Sequence, residues 1–227
     1  MPEVSVVVPV YNGAEFVAEA LDSILAQTYS DYEILVVNDG SVDRTREVLA
    51  PYAERIRYLE HPENGGVSAA LNTGIGQASG AYLGMMNADD LWLPRKLEQQ
   101  ICAFRAWDDA DVVYTHYHKM TADGSLIRWP RRKLRRLAWQ RASEHLFETL
   151  LEGNFIDAIT PLCRRTWLEE VGLFDESLQR MEDWDVWLRM SRAGARFRFL
   201  DEVTEHAQAG DKEWLRKVGR LYEPART

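Results

Sequence analysis

The 227-residue chain reads as an α/β protein on a Rossmann-like sheet, mixed but mainly parallel and flanked by helices. Three observations predict this. Four short apolar runs alternate with three helical patterns over roughly the first 90 residues, the order of a parallel sheet with crossover helices. The runs are close to continuously apolar rather than alternating, as strands covered on both faces are. Three of them end in polar turns, and open α/β sheets bind ligands beyond the carboxyl ends of their strands.

Val4-Ser5-Val6-Val7-Val8-Pro9-Val10 is β-branched and predicts the first strand. The turn Tyr11-Asn12-Gly13 follows. Phe16, Val17, Ala20, Leu21, Ile24 and Leu25 then recur at helical spacing, so a first helix should end near Thr28. Glu33 to Val37 is the second strand, running into Asn38-Asp39-Gly40-Ser41. Asp43 caps a helix carrying Val48 and Leu49 toward Tyr52. Arg57-Tyr58-Leu59 is a short third strand. Asn64-Gly65-Gly66 opens a helix with Val67, Ala70, Leu71, Ile75 and Ala78 on one face. Ala81 to Met86 is the fourth strand, and it breaks off into Asn87-Ala88-Asp89-Asp90.

The second half is less regular. Pro94 to Trp107 predicts a helix and Asp111 to Lys119 a strand, with Ala122-Asp123-Gly124 turning into an antiparallel return over Ser125 to Trp129. Helices are expected from Ser143 to Leu151, Thr166 to Val171 and Glu182 to Arg192. Ala158 to Cys163 reads as extended, and Arg196 to Leu200 as a last strand. The polar last 27 residues give no clear element.

Composition sets limits. A hydrophobic fraction of 46% and a charged fraction of 28% suit a globular domain. No run approaches the roughly 18 apolar residues of a membrane span, and Met1-Pro2-Glu3 lacks a signal peptide's basic start. Cys102 and Cys163 have no metal-ligand spacing, so a cytoplasmic protein with reduced thiols is expected. A net charge of −9 argues against nucleic acid as a partner. Arg128, Arg131, Arg132, Lys133, Arg135, Arg136 and Arg141 nevertheless form a basic island without an acid. Elsewhere 20 basic residues face 36 acidic ones. With Trp129, Leu134, Leu137 and Trp139, the island suits either a peripheral contact with an anionic membrane face or a basic loop over an anionic ligand or the acidic body.

Two carboxylates and a carboxamide at the end of strand four make an oxygen-rich site suited to Mg²⁺ or Mn²⁺, or else a cap for the helix after Pro94. Tyr11-Asn12, Asn38-Asp39 and Asn87-Asp89 should converge on one sheet edge. No glycine-rich loop is followed by Lys-Ser or Lys-Thr, and G-x-G-x-x-G is missing after strand one, which excludes P-loop and dinucleotide readings.

The stretches VSVVVPVYN, VVNDGSVDRT, ENGGVSAALNTGI, GAYLGMMNADD and GLFDESLQRMEDWDVWLRMSRAG resemble, in order, the motifs of family 2 glycosyltransferases. The resemblance covers residues 3–200. It implies a GT-A fold, a nucleotide-sugar donor with UDP the favoured carrier, a divalent metal and inversion at the anomeric carbon. A single domain over residues 1–200 follows, with a nucleotide-sugar half (1–107), an acceptor half (108–200) and a divergent tail (201–227).

By position, the resemblance puts Pro9, Tyr11 and Asn12 along the nucleotide. Asp39 would accept a hydrogen bond from the base, or else simply precede Gly40 in the turn. Asn64 and Gly66 would shape the loop before the next helix, and Asn72 would help hold the donor. Leu71 stands where relatives often carry a basic residue. Asn87-Ala88-Asp89 occupies the family's D-x-D position, with Asp89 on the metal, Asn87 on the ribose and Asp90 in support. Asp183 would be the general base and Glu182 its support, unless both only favour the helix dipole. Trp184 would offer a face to the acceptor, a glycan or lipid-linked species, while Trp187 suits the core. His116 and His118 alternate along one strand and face the same side, as ordinary side chains or else as ligands, and His206 lies near where some relatives place a metal-proximal histidine. A non-catalytic nucleotide-sugar-binding relative is the alternative, prompted by Asn87. A sugar-phosphate nucleotidyltransferase would need a glycine- and arginine-rich loop where Tyr11-Asn12-Gly13 stands.

Overall fold

A computed structural model describes residues 1–121, 126–127 and 145–208. In chain order the elements are β1 (Val4–Val10), α1 (Val17–Leu25), β2 (Tyr32–Asn38), α2 (Thr45–Leu49) with a 3-10 turn (Ala50–Tyr52), β3 (Arg57–Glu60), α3 (Val67–Gln77) and β4 (Tyr82–Met85). There follow β5 (Leu91–Trp92), α4 (Lys96–Ala106), β6 (Val112–Met120), β7 (Leu126–Ile127), α5 (Leu146–Glu152), β8 (Leu162–Arg164), α6 (Arg165–Glu170), α7 (Glu182–Ala193) and β9 (Phe197–Gln208).

The strands form one sheet in the order β3-β2-β1-β4-β8-β6-β9-β5, with β7 on β6. β3, β2, β1 and β4 are parallel. β8 runs against β4 and β6, so β6 and its parallel neighbour β9 share the direction of the first four. Six of the nine described strands therefore point one way.

The apolar runs predicted this because both faces are covered. Val4, Val6, Val8 and Val10 of β1 pack with Val17, Leu21 and Ile24 of α1 and with Leu97, Ile101 and Phe104 of α4. Val7 turns to the other face, where Leu71 and Ile75 of α3 join Val186, Trp187 and Met190 of α7. α3 comes so close to β1 that a Cβ on Gly74 would lie 2.4 Å from Val7 Cγ1. Trp187 is fully buried, the core residue expected. Leu71, where relatives often carry a basic residue, is buried in the core as well.

Three elements depart from expectation. β5 was not foreseen; two residues carry too little periodicity to register. The extended stretch at 158–163 shrinks to β8, because residues 157–160 form a turn in which Thr160 N–H and Oγ1 donate to Asp157 O. β9 runs on past residue 200 to Gln208, where the tail was expected to begin. Its charged residues escaped a pattern reading because the partner on β6 supplies the strand's stability. The basic island and the 122–124 turn lie outside the described residues, although β7 pairs antiparallel with β6 as expected. Among the described residues no helix is long and apolar enough to cross a membrane.

Candidate active site at the carboxyl edge of the sheet

β1, β2 and β4 end together. Asp39 N–H donates to Val10 O at 2.8 Å and Met86 N–H to Val7 O at 3.0 Å, carrying both pairings past the strands. The turns are then laced by side chains. Asn12, in a left-handed conformation (φ 51°), accepts from Val42 N–H through Oδ1 at 2.9 Å, and its own N–H donates to Ser41 Oγ at 2.9 Å. Asp43 accepts from Ala14 N–H and Thr45 N–H, tying the first turn to the start of α2. Pro9 stands in register with Val37, and Tyr11 leaves its ring half exposed above the edge.

Asp39 is 3% exposed. Its Oδ1 accepts from Gly65 N–H (2.9 Å) and lies 2.6 Å from His61 Nδ1, and its Oδ2 accepts from Gly66 N–H (2.8 Å). Asn64 Oδ1 also accepts from Gly66 N–H, at 3.1 Å. Asp39, Asn64 and Gly66 thus form one local unit. Gly40 is needed between them: its φ is +69°, and a Cβ would sit 2.5 Å from the Glu63 carbonyl carbon. Asn72 departs from expectation. It spends both ends of its carboxamide inside the protein, donating to Phe174 O and Glu176 and accepting from Phe174 N–H. The helical register that puts Leu71 in the core aims Asn72 at the segment leading to α7, not at a donor.

After β4, Asn87 Nδ2 donates to Asp90 Oδ2 at 2.8 Å, and Asp90 is buried. An aspartate at 87 would instead set two carboxylates against each other. Asp90 therefore supports the loop, as expected. Asp89 is open to solvent, yet surrounding protein strips water from it and Asp157 faces it, so its carboxyl is held above the usual range.

Asp157 also acts on Asp183. Burial, then Asp157, then Glu182 push the Asp183 carboxyl up to about 7, against the opposing hydrogen bonds from Asn154 Nδ2 (2.9 Å) and Trp184 N–H. Asp89 and Asp183 thus share one acidic neighbour. The topology explains it: Gly84 of β4 pairs with Leu162 of β8, so the 157–160 turn before β8 sits at the carboxyl end of β4. Asp157 and Asn154 were missed because they lie in an irregular stretch, and the available signal was only the Gly153-Asn154 turn pair.

α7 starts from Met181, held at φ +64°, and puts Glu182, Asp183 and Asp185 in its first turn, where acids offset the helix dipole. Arg189 locks it in place, bonding Asp185 at 2.7 Å and donating to Val171 O and Leu173 O. Trp184, expected to present a face to the acceptor, donates its indole N–H to Leu150 O of α5 at 2.7 Å and packs against the second core.

On the far side, β5 pairs with β9 so that Leu91 faces His206 and Trp92 faces Glu205. His206 stacks on His118, ring centroids 5.9 Å apart, and burial with His118 lowers its pKa, keeping it neutral at pH 7. His116 pairs instead with Asp201 at 2.8 Å. Beneath lies a fully buried ion pair, Lys96 with Glu205. Thr204 Oγ1 and Thr115 Oγ1 donate to Glu205, and Lys96 Nζ donates to Thr160 O at 3.1 Å. Burial drives Lys96 down and Glu205 up, each toward its neutral form, because desolvation outweighs their attraction.

No set of three or more His, Cys, Asp or Glu side chains among the described residues could hold a metal. The donor set fits a cation only in part: an accessible carboxylate at Asp89 with raised proton affinity, and a neutral imidazole at His206 two positions beyond it in register. Mg²⁺ and Mn²⁺ sites of that kind are completed by substrate phosphates.

Comparison with known proteins gives one family. The model of glycosyl transferase family 2 matches residues 5–172. An uncharacterised glycosyltransferase of Rickettsia prowazekii is 37% identical over 194 residues, covering 86% of this chain and 60% of its own. The hyaluronan synthase of Pasteurella multocida is 30% identical over 227 residues, covering 96% of this chain but 22% of its own. The chain thus spans less than two thirds of the first relative and under a quarter of the second. Among solved structures, a mannosyltransferase of Pyrobaculum calidifontis in complex with GDP-Man and Mn²⁺ superposes with a TM-score of 0.74 at 23% identity, covering 97% of this chain and 62% of its own. S. aureus TarS 1–349 with UDP-GlcNAc gives 0.72 at 21% identity, covering 93% and 59%. These neighbours share the mixed, mainly parallel GT-A sheet. Because the family model matches residues 5–172 of its 227, the chain belongs to glycosyl transferase family 2.

Proposed function

We propose that the chain is an inverting glycosyltransferase that moves a sugar from a nucleotide-sugar donor, with UDP the favoured carrier, to a hydroxyl of a saccharide or lipid-linked acceptor. One observation carries this reading: Asp183, with its pKa raised to about 7, shares the acidic neighbour Asp157 with Asp89 at the edge where β1, β2 and β4 end. A general base works best with a pKa near the working pH. Hyaluronan and chondroitin synthases among the relatives suit a saccharide acceptor.

In this mechanism Asp183 takes the proton of the acceptor hydroxyl as that oxygen attacks the anomeric carbon. The bond to the diphosphate breaks on the opposite face, and its electron pair leaves with the nucleoside diphosphate. Asn154 orients Asp183 through Oδ2, and Glu182 adds negative charge that keeps its proton affinity high. Pro9, Tyr11, Asn12, Asp39, Asn64 and Gly66 hold the nucleotide, and Asn87 reaches the ribose. Asp89, with His206 opposite Leu91, would hold a Mn²⁺ or Mg²⁺ ion, which when bound offsets charge on the leaving diphosphate. Asn72 contributes indirectly, by fixing the segment that leads into α7.

Calorimetry tests the donor side: Asp89→Ala should abolish Mn²⁺-dependent UDP binding, and unchanged binding refutes the metal assignment. Asp183→Asn should bind UDP as wild type does but lose transfer; rates within a few fold of wild type refute the base. The second reading, a nucleotide-sugar binder without transfer, rests on Asn87 and would show UDP binding with no product across a broad acceptor panel. A peripheral membrane contact through residues 128–141 rests on the sequence, its basic residues interleaved with Trp129, Leu134, Leu137 and Trp139, and neutralising the island should then reduce association with anionic liposomes.

A further inference from the structure

His61 has no part in the mechanism above, yet its ring lies between two elements of the nucleotide edge. Its backbone N–H donates to Asn38 O at 2.9 Å, continuing the β2–β3 pairing beyond Glu60 and fixing it alongside Asp39. Nδ1 lies 2.6 Å from Asp39 Oδ1, and Nε2 lies 2.9 Å from Thr73 Oγ1 on the second turn of α3. A carboxylate only accepts, so Nδ1 carries a proton, and in the neutral ring Nε2 accepts from the Thr73 hydroxyl. The side chain is 19% exposed and that of Asp39 4%, so the contact is largely shielded from competing water.

The donors are unevenly shared. Oδ1 of Asp39 receives two, Gly65 N–H and the imidazole, which fill its two in-plane lone pairs. Among the described residues Oδ2 receives only Gly66 N–H, which leaves one acceptor position on the carboxylate. Without the imidazole both oxygens would carry an open position and the carboxylate could turn about its backbone-held axis. The Gly40 turn lies close against the backbone at Glu63, where even a Cβ would not fit.

We propose that His61, braced by Thr73, is a positioning residue that presents a single lone pair of Asp39 Oδ2 to the base and so selects a base with an N–H donor at that point. Uracil and guanine present an imide or lactam N–H; cytosine presents a bare ring nitrogen, which would face the carboxylate lone pair to lone pair. This rests on the reading of Asp39 as the base-contacting residue.

Calorimetry with UDP, GDP and CDP, on the full 227-residue chain and its variants, tests it. Wild type should bind UDP or GDP at least about tenfold more tightly than CDP, the discrimination expected when an unpaired buried acceptor replaces a hydrogen bond. His61→Leu should weaken the preferred nucleotide by about tenfold and narrow its margin over CDP. His61→Asn places an amide N–H where Nδ1–H stood and should restore both within about threefold; His61→Gln, whose amide reaches the Nε2 position, should not. Equal loss in the Asn and Leu variants, or an unchanged margin over CDP in His61→Leu, overturns the proposal. Thr73→Val, which removes the brace alone, should narrow the margin in the same direction, and an unchanged margin counts against the brace even where a His61 variant fails to fold. Asp39→Asn separates the two layers: if it leaves UDP binding intact, the reading of Asp39 fails. If it weakens binding while His61→Leu does not, only the role of His61 fails.

Discussion

Asp183→Asn should make the protein more stable as the pH rises while removing its activity. The Asp183 carboxyl has a folded-state pKa of about 7 against 3.8 for an ordinary aspartate. A group whose pKa is raised on folding costs nothing where both states are protonated, below pH about 4, and costs most where both are ionised, above pH about 7. Each pKa unit is worth about 1.36 kcal/mol, so the full penalty is about 4 kcal/mol as an upper bound. At pH 5 only about 1.6 kcal/mol of it has accrued. Asparagine has no ionised form to penalise. Its stability advantage over Asp183 should therefore grow by about 2.5 kcal/mol between pH 5 and pH 8. Using the growth rather than the absolute difference cancels the altered hydrogen bond to Asn154, which is present at both pH values. Urea unfolding of both proteins at the two pH values measures it, and transfer assays over the same range should show wild-type activity rising through pH about 7. A pH-independent stability difference, or activity already saturated at pH 5, would refute a raised Asp183 pKa.

Other perturbations follow from the same geometry. Asp157→Asn removes a charge that raises Asp183, so the acid limb of the activity profile should move about one unit lower; a midpoint that stays put argues against coupling. Lys96→Met leaves Glu205 buried without its partner and should cost about 3–5 kcal/mol in chemical denaturation. The double variant Lys96→Met/Glu205→Leu should recover most of that loss, because a well-packed apolar pair is often no worse than a buried ion pair. Gly40→Ala forces a Cβ against Glu63 at a positive φ and should lose at least about 1–2 kcal/mol of stability, with UDP binding weakened in parallel.

The first half of the fold was legible because its strands are buried on both faces and its helices each present one stripe to the sheet. Val4 to Val10 could be little else, and the turns at Asn12, Asp39 and Asn87 declared themselves by ending apolar runs. The second half was harder to read because its strands depend on partners remote in sequence. Leu91-Trp92 is a strand only because Glu205 and His206 lie beside it. Residues 201–208 look like tail until β6 pairs with them. The candidate site divided in the same way. Motif residues fell on one edge, while side-chain commitments could not be foreseen: Asn72 turned to Phe174, Trp184 to Leu150, and Asp157 entered between the two key carboxylates from an irregular turn.

The pairing of β5 with β9 also imposes an order of events. β1 to β4 draw on residues 4–85 and can pair as soon as that stretch exists. The loop bearing Asp89 is emitted next, yet its flanking strand waits for residues 205–206, more than a hundred positions later. Closing so distant a contact is slow relative to local pairing. During synthesis the nucleotide side would thus be shaped well before the side that carries Asp89 and His206. On the proposed reading of the site, a nascent chain would pass through a stage in which the base and ribose have somewhere to sit while the far wall beside the diphosphate is still missing, so early donor binding would be weak and without chemical consequence.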